Sequence, residues 1–374
     1  MLRDFVRGNT LLQRTIVHLR SVRLAKRHPE GQPPPLPRRI IVEPTNACNL
    51  ACSYCGNRVM KRPRTYLDLG VYGELLGQMV ELEIPRLTLH TIGEPTLHPE
   101  IVRMLEMATE RERCVTMSTN GTLLTEDLSR GIVRARPDLV NFSVDAADSD
   151  VLERTRPGQR LDVLLENMRA MRRIRDEEGE VRDSPWGPVR LPTMTVNCVL
   201  THHFTREVER RFFETFAPLA DDFLFHRPNN HVSYPVDHPF HQRTLMPRRL
   251  RVSLYRRVRM PCVYPWDALF LLSDGTVSAC RFDFHAGVAV GHFPEMSIPE
   301  LWGGEAMRSL RRAHLAFDYR EWEQCRSCTA TFFENRHEHR AHSRRLMRRN
   351  GVVPSRDSWL PLDPRRTMTA SPDE

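Results

Sequence analysis

From residue 39 onward, short apolar runs alternate with amphipathic stretches. The apolar runs have strand length and occupy residues 39–43, 87–91, 115–119, 139–145, 193–200 and 222–226. Apolar residues recur with helical spacing near 69–81, 99–110, 124–135, 161–178 and 205–218. Because each run is apolar on both faces, the pattern predicts an α/β fold with parallel strands and helical crossovers. Six units fit a partial (β/α)6 TIM-like barrel or a doubly wound sheet, and both gather functional groups at the C-terminal ends of the strands.

The alternation stops after about residue 250. Residues 269–273 and 276–281 surround the pair Asp274-Gly275, which predicts a β-hairpin with a type I′ turn and places Cys280 opposite Leu269. We therefore expect a small domain of a hairpin and a helix after the barrel. The expected organisation is a basic helix and Pro-rich linker at 1–38, the barrel at 39–230, the small domain at 231–335 with its helix at 297–315, and a basic helix at 336–349 with a disordered tail to 374.

Lysine is scarce in an otherwise basic chain. The sequence has 55 Lys and Arg residues against 47 Asp and Glu, a net charge of +8, yet its only lysines are Lys26 and Lys61. Neither lies in a G-x-x-x-x-G-K context, which excludes a P-loop nucleotidase, and a pyridoxal-phosphate Schiff base is disfavoured. The basic stretch 336–349 is rich in His and Arg but poor in aromatic residues. We therefore expect no nucleic-acid contact.

The first 27 residues predict no export signal. Arg3, Arg7, Arg14 and Arg20 interrupt each apolar stretch. No run approaches the ~18 apolar residues that cross a bilayer, so we expect a cytoplasmic protein without a transmembrane segment. In a reducing compartment, a chain with nine cysteines binds metal or performs redox chemistry more often than it forms disulfides.

Three cysteines follow the first predicted strand in the run Cys-Asn-Leu-Ala-Cys-Ser-Tyr-Cys. Cys48, Cys52 and Cys55 can ligate three irons of a cubane iron-sulfur cluster and leave the fourth iron open. A structural zinc ion requires four ligands, usually from paired C-x-x-C motifs. The spacing therefore favours iron-sulfur, with zinc as the alternative.

This region resembles the radical S-adenosylmethionine (SAM) superfamily, whose hallmark is C-x-x-x-C-x-aromatic-C after the first strand of a partial (β/α)6 barrel. Tyr54 fills the aromatic position. Gly93-Glu94-Pro95 resembles the motif that hydrogen-bonds the SAM amino group. Ser118-Thr119-Asn120-Gly121 and Ser143-Val144-Asp145 resemble segments that contact the ribose or carboxylate of SAM, and Arg156 is a candidate for the carboxylate. The resemblance covers about residues 39–230 and favours the barrel over the doubly wound sheet.

The resemblance implies a SAM-dependent radical enzyme. A [4Fe-4S] cluster on the three cysteines binds SAM at its open iron, and one electron from an external flavodoxin- or ferredoxin-type reductant cleaves the sulfonium bond. The resulting 5′-deoxyadenosyl radical removes a hydrogen atom from the substrate. The barrel positions the substrate and excludes water.

A second group of four cysteines lies in the small domain: Cys262, Cys280, Cys325 and Cys328. Spacing alone leaves zinc and iron-sulfur equally open. The motifs around these cysteines resemble the SPASM/twitch extension of radical SAM enzymes. In chain order they are Cys-Val-Tyr-Pro-Trp, Asp-Gly, Cys, Leu-Trp and C-x-x-C. The full SPASM form has more cysteines, and four correspond to the shorter twitch form. The resemblance therefore implies one auxiliary [4Fe-4S] cluster, with every iron ligated by protein and a role in electron transfer.

The sequence offers several candidates for hydrogen and proton transfer. Cys198 in the fifth predicted strand is either a buried core residue or a donor of a hydrogen atom to a substrate radical. Lys61, a few residues past the cysteine loop, is a candidate base. Further candidate bases, each with a structural role as the alternative, are Arg156, His202, His203 and His226.

The predicted outcome is a two-electron oxidation. A fully ligated auxiliary cluster can accept the electron of a deprotonated substrate radical, and the chain resembles twitch dehydrogenases that oxidise sugars or aminocyclitols. We therefore expect a small polar metabolite as substrate in preference to a peptide. The alternatives are a peptide- or protein-modifying maturase, a sugar epimerase and, from another class, a non-catalytic zinc protein that binds nucleic acid.

Overall fold

The computed structural model describes residues 35–111, 113–183, 188–201, 203–226, 261–328 and 336–353. The predicted N-terminal helix, His202, residues 227–260 and the tail after residue 353 lie outside the described residues. None of the helices in these ranges combines the length and the apolar composition that a bilayer span requires.

Parallel strands form the centre of the structure. The strands are β1 (Arg39–Val42), β2 (Arg86–Leu89), β3 (Cys114–Thr119), β4 (Leu139–Ser143), β5 (Val181–Arg182), β6 (Val189–Arg190), β7 (Thr193–Val199), β8 (Asp222–His226), β9 (Ala268–Leu271), β10 (Thr276–Ser278) and β11 (Ala289–His292). One sheet has the order β11-β10-β9-β1-β2-β3-β4-β7-β8, and β5 pairs with β6 in a separate ribbon. The run from β1 to β8 is parallel throughout. This run confirms the predicted α/β architecture and forms the partial TIM-like barrel.

Helices connect the barrel strands. They are α1 (Leu69–Glu81), α2 (Ile101–Thr109), α3 (Glu126–Arg134), α4 (Ser149–Thr155), α5 (Leu161–Glu178) and α6 (Arg206–Phe216). The sequence pattern predicts all of these except α4, with each end within two residues of the structure. The short helix α4 directly precedes the segment that carries Arg156.

Each barrel strand has one face on the helices and one on the lumen. Val140 and Phe142 of β4 and Met194 of β7 belong to the main buried cluster, together with side chains of the helices. The intervening residues point into the lumen, where the hydroxyls of Thr88 and Thr116 hydrogen-bond at 2.9 Å. This alternation determines which polar side chains reach the inside of the barrel.

The small domain extends the barrel sheet. β9 pairs in parallel with β1, and β10 and β11 add antiparallel strands. Its helices are α7 (Ile298–Gly303), α8 (Glu305–Ala316) and α9 (Glu323–Ser327). The single helix predicted at 297–315 is wrong, because Gly304 has an extended backbone and separates α7 from α8. A capping box of Ser297 and Glu300 begins α7.

The predicted hairpin is present, but its turn type and register are wrong. Ser278 pairs with Phe270, one position away from the register that a two-residue type I′ turn would produce. A three-residue loop therefore joins the strands, and its last residue, Gly275, has a φ of +87° in the left-handed region. Because β10 ends at Ser278, Cys280 lies beyond the strand and not opposite Leu269.

The basic helix α10 (Arg336–Arg349) covers the edge of the sheet at β8. The hydroxyl of Ser343 accepts a hydrogen bond from the Phe225 amide at 2.9 Å. Leu346 and Met347 are buried on the same side of the helix. The helix thus shields an edge strand that would otherwise present unpaired backbone groups.

Candidate functional site

Cys48, Cys52 and Cys55 lie on the loop that follows β1, at the C-terminal end of the barrel. The Leu50 amide donates to the Cys48 sulfur at 3.4 Å, and the Asn57 amide donates to the Cys55 sulfur at 3.5 Å. Burial raises the pKa of Cys48 to about 11 and that of Cys55 to about 12. Without metal these thiols stay protonated at neutral pH, so metal loading has to release protons.

Arg156 lies beside Cys52, with 4.0 Å between its Nη1 and the Cys52 sulfur. Its Nε is 2.9 Å from one carboxylate oxygen of Asp145, and its Nη2 is 3.1 Å from the other. The guanidinium also lies 5.5 Å from the centre of the Tyr54 ring, and the Tyr54 hydroxyl donates to Asp145 at 2.7 Å. Tyr54, the aromatic residue of the cysteine motif, thus contacts both members of the buried Arg156–Asp145 ion pair.

Glu94 joins the second and third predicted motifs. Its carboxylate accepts hydrogen bonds from the Thr119 hydroxyl and from the Asn120 amide, both at 2.7 Å. Burial raises its pKa, although hydrogen bonds oppose the shift. Gly93 is needed here because a Cβ atom would lie 2.0 Å from the Thr45 carbonyl oxygen. Pro95 then begins a short 3-10 turn.

Gln159 connects the third and fourth motifs. Its Nε2 donates to the carbonyl of Asn120 at 2.7 Å and to that of Ser143 at 3.0 Å. The Asn120 side chain in turn donates to Asn49 of the cysteine loop at 2.8 Å. Ser118 is also buried. It lies two residues before Asn120 along the chain and therefore deeper in the lumen. The structure therefore brings the motif residues around the cysteine loop at one end of the barrel.

The four cysteines of the small domain also converge. Burial raises the pKa of Cys280 well above its usual value, and the nearby Cys328, Cys262 and Cys325 thiols contribute to the increase. In the described part of the chain, no three His, Cys, Asp or Glu side chains are close enough to ligate one metal ion directly. The cysteines of a cubane cluster ligate different irons and so lie farther apart. The donor set fits such a cluster.

An apolar bridge, formed by Ile92, Phe282 and Phe284, lies between the two cysteine groups. Cys55 of the first group and Cys280 and Cys328 of the second pack against this one buried cluster. The sheet pairing of β1 with β9 aligns the two domains so that these loops meet. The two cysteine groups are thus joined by continuous nonpolar contact.

A buried ion pair fixes the same junction. Arg62 donates to both carboxylate oxygens of Glu43 at 2.9 Å and to the Phe284 carbonyl at 3.1 Å. Glu43 also accepts hydrogen bonds from the amide and hydroxyl of Ser273 and from the Thr91 hydroxyl. The carboxylate is fully buried at the end of β1. Its partners come from the barrel and from the small-domain hairpin, so it couples the two.

The remaining predicted residues occupy different places. Lys61 is exposed, and its backbone amide donates to His285 Nδ1 at 3.4 Å. His203 lies half-buried in the loop after β7, and His226 ends β8. Cys198 is fully buried in the main cluster on the helix-facing side of β7, away from the lumen. That position fits a core cysteine, and the hydrogen-donor role stays a prediction.

Sequence reasoning missed His90, Arg62 and Gln159. His90 follows β2 on the lumen side and is half-buried. Burial lowers the pKa of His90 to about 3, and the positive charges of Arg281 and Arg156 lower it further. The strand alternation in Arg-Leu-Thr-Leu-His is the signal that could have placed this imidazole in the barrel mouth.

Two family profiles match the chain. The Radical SAM superfamily matches residues 42–177, and the SPASM iron-sulfur cluster-binding domain matches residues 262–329. The first range contains the cysteine loop, the motifs and Arg156, and the second contains all four small-domain cysteines. The protein therefore belongs to the radical SAM superfamily and carries a C-terminal SPASM domain. Iron-sulfur is favoured over zinc at both cysteine groups.

Individual relatives are more distant. The chain is 31% identical over 107 residues to the tungsten-containing aldehyde ferredoxin oxidoreductase cofactor-modifying protein of Pyrococcus furiosus, which is 28% of this chain and 30% of that protein. It is 38% identical over 92 residues to the S-adenosyl-L-methionine-dependent 2-deoxy-scyllo-inosamine dehydrogenase of Niallia circulans, which is 23% of this chain and 36% of that protein. The matches thus span about a third of each curated relative.

A solved structure extends the likeness beyond the barrel. Streptococcus suis SuiB bound to the precursor peptide SuiA superposes with a TM-score of 0.58 at 13% identity, covering 84% of this chain and 74% of that one. At this identity the likeness shows the shared fold, a partial barrel followed by a C-terminal domain.

Proposed function

We propose that the protein uses SAM to catalyse the two-electron oxidation of a polar sugar or cyclitol-type metabolite. The reaction would convert a carbinol into a ketone: SAM and an auxiliary [4Fe-4S] cluster, when bound, would supply removal of a hydrogen atom and uptake of one electron, and a side chain of the protein would accept the proton. Cys48, Cys52 and Cys55 hold the SAM-binding [4Fe-4S] cluster in this proposal. The small-domain cysteines hold the auxiliary one.

The apolar bridge is the observation that carries the proposal. Cys55 and Cys280 contact the same buried side chains, so an electron acceptor on the second group would lie close to chemistry at the first. A saturated set of four thiolates leaves no iron open for substrate, which favours electron transfer as its task. The similarity to the 2-deoxy-scyllo-inosamine dehydrogenase supports the same reaction class.

The chain's own residues prepare the site. When bound, the clusters supply the one-electron chemistry that cleaves SAM and takes up the second electron from the substrate. Burial raises the pKa of the Cys52 thiol, and the positive charge of Arg156 beside it opposes that increase. Glu94 fixes the loops that, by resemblance, surround SAM. Phe282 and Phe284 exclude water between the two cysteine groups.

Proton removal requires a neutral base near the lumen. His226 ends β8 on the lumen side, and we propose its imidazole as the proton acceptor, because a pKa of about 3 makes the His90 imidazole too weak a base. Lys61 is exposed, so it is a weaker candidate. We further propose that a flavodoxin- or ferredoxin-type protein supplies the initiating electron in a reducing cytoplasm.

Isotope transfer tests the proposal. The anaerobically reconstituted protein is incubated with SAM, dithionite and carbinol-deuterated 2-deoxy-scyllo-inosamine, glucosamine or myo-inositol. We expect deuterium in 5′-deoxyadenosine together with the corresponding ketone for at least one of them. A Cys52→Ala variant serves as the matched control, because it lacks a ligand of the SAM-binding cluster and should transfer none. Absence of transfer from all three compounds, with SAM cleavage intact, would contradict the proposed substrate class.

A further inference from the structure

The small domain contains a buried carboxylate on the loop that follows Cys280. Asp283 is only 2% exposed. Its carboxylate accepts hydrogen bonds from the Ser278 hydroxyl at 2.7 Å and from the amides of Gly287 and Val288, both at 2.8 Å. An ionised carboxylate accepts hydrogen bonds and donates none. The three donors thus stabilise a negative charge in the interior of the domain.

Asp283 forms no ion pair with any residue that the structure describes. Glu43, the buried carboxylate at the junction with the barrel, differs in this respect because it pairs with Arg62. Moving an ion out of water is costly, and buried charges are usually paired for that reason. The charge of Asp283 is therefore held by hydrogen bonds alone, and no described cation in direct contact cancels its field.

The same hydrogen bonds connect this carboxylate to Cys280. The Asp283 amide donates to the Cys280 carbonyl at 3.3 Å. The Cys280 amide donates at 3.1 Å to the Ser278 hydroxyl, which in turn donates to Asp283. Burial raises the pKa of Cys280 well above its usual value, and the Cys328 thiol and then the Asp283 carboxylate are the next largest causes. The negative charge therefore acts on the sulfur atom of a cysteine in the second group.

We propose that the buried charge of Asp283 lowers the reduction potential of the auxiliary cluster. The inference rests on the proposed function, which assigns that cluster to the four small-domain cysteines. A cubane with four thiolate ligands is negatively charged, and its reduction adds one more electron. A fixed negative charge nearby makes this step less favourable. The acceptor then stays oxidised until a strong one-electron donor, such as a deprotonated carbinol radical, is formed.

Redox titration measures this potential directly. The anaerobically reconstituted protein is titrated with dithionite and mediators, and electron paramagnetic resonance reports the reduced second cluster. Every sample also carries Cys52→Ala, which removes a ligand of the SAM-binding cluster and so separates the two signals. We expect Asp283→Asn to raise the midpoint potential. Asp283→Glu keeps the charge and should leave the midpoint potential close to that of Cys52→Ala alone.

Glu323→Gln is the matched control variant. It removes the same charge two residues before Cys325, but the Glu323 side chain is 87% exposed. A charge acts about four times more strongly at an effective dielectric constant of about 20 than in water at about 80. The upward shift in Asp283→Asn should therefore be at least about twice the shift in Glu323→Gln.

Iron analysis and the midpoint potential test different claims. About four irons per chain in the parent protein, where two cubanes would give about eight, contradict the proposed function and the inference together. When the second cluster is present, a potential that moves no further in Asp283→Asn than in Glu323→Gln overturns the inference alone. If Asp283→Asn loses the second cluster, Asp283→Ser provides a smaller neutral acceptor for the same titration. Loss of the cluster from both neutral variants would make Asp283 a structural residue only and would also overturn the inference.

Discussion

Arg156 forms a two-point ion pair with Asp145 directly beside Cys52. Both nitrogen–oxygen distances are close to 3 Å, at 2.9 and 3.1 Å, and both side chains are almost completely buried. The Tyr54 hydroxyl and ring complete the arrangement. A positive charge is thus held next to the Cys52 thiol, which would have to ionise to ligate iron in the proposed cluster. The negative charge of Asp145 prevents Arg156 from being isolated in the interior.

Breaking this pair on one side should be costly. We expect Arg156→Met to lower the free energy of unfolding by about 3–5 kcal/mol, because it leaves the buried carboxylate of Asp145 without its cation. The free energy of unfolding of Arg156→Lys should lie between those of the parent protein and Arg156→Met, since lysine keeps the charge but loses the two-point geometry and the contact with Tyr54. Denaturant unfolding measures the stability, and iron per chain measures the effect on Cys52.

The control is Arg160→Met, four residues further along. Arg160 pairs with Asp162 on the surface, where both side chains are exposed, so this variant should unfold like the parent protein. Equal stability of Arg156→Met and Arg160→Met would refute a structural role for the Arg156 pair.

The Arg62–Glu43 pair offers a second test at the junction of the two domains. Arg62→Met should destabilise the protein by about 3–5 kcal/mol, because the fully buried carboxylate of Glu43 loses its cationic partner. The double variant Arg62→Met/Glu43→Gln should recover part of this loss, since the neutral amide still accepts a hydrogen bond from Ser273. Denaturant unfolding of the single and double variants measures the coupling. A double variant less stable than Arg62→Met would contradict this account.

Local patterns in the chain were sufficient for the strands and helices of the barrel and for the cysteine groups, whereas the resemblance to the radical SAM superfamily decided for a barrel over a doubly wound sheet. Short apolar runs identified the strands. The spacing of Cys48, Cys52 and Cys55 identified the first cysteine group without knowledge of any distant contact. The turn after β9 could not be assigned the same way. Asp274-Gly275 fits both a two-residue turn and the end of a three-residue loop, and the pairing of Ser278 with Phe270 decides between them.

The contacts that join the barrel to the small domain could not be predicted from the sequence, because they connect residues that are distant in the chain. Glu43 meets Ser273, 230 residues away, and no local pattern links them. Arg62 is one of many arginines in the sequence, so its residue type gives no indication of burial. Cys198 lay in the correct strand, but only the observed alternation with Met194 and Val196 assigns it to the helix side.

Removing a ligand of the second cysteine group should separate SAM cleavage from product formation. In Cys280→Ala we expect iron to fall from about eight to about four per chain, since four thiolates hold one cubane. SAM cleavage with dithionite should continue, because Cys48, Cys52 and Cys55 are unchanged. Ketone formation should be lost with the electron acceptor. The measurements are iron and sulfide analysis and chromatography of 5′-deoxyadenosine and product.

Cys114→Ala is the control for this experiment. Cys114 is buried at the opposite end of β3 from the cysteine loop, so its removal should leave iron content and product formation unchanged. If Cys280→Ala still formed the ketone at the parent rate, the second group would have no part in the oxidation.

His90 predicts how stability depends on pH. Its folded-state pKa of about 3 lies below the ordinary value of 6.5, so the unfolded chain takes up a proton between those values that the folded protein does not. The contribution of the neutral His90 to the free energy of unfolding is therefore present above about pH 6.5. It is lost as the pH falls towards 3, by up to about 1.4 kcal/mol per pH unit. Between pH 7 and 5.5 we expect the parent protein to lose about 1 kcal/mol more than His90→Gln, in anaerobic denaturant unfolding.

The exposed His285 provides the control for His90. His285→Gln leaves His90 unchanged, so the loss of stability of this variant between the two pH values should match that of the parent protein. Equal losses in the parent and in His90→Gln would mean that His90 takes up its proton in the folded state. The His90 ring would then be a stronger base than a folded-state pKa of about 3 allows, and it would join His226 as a candidate proton acceptor for the oxidation.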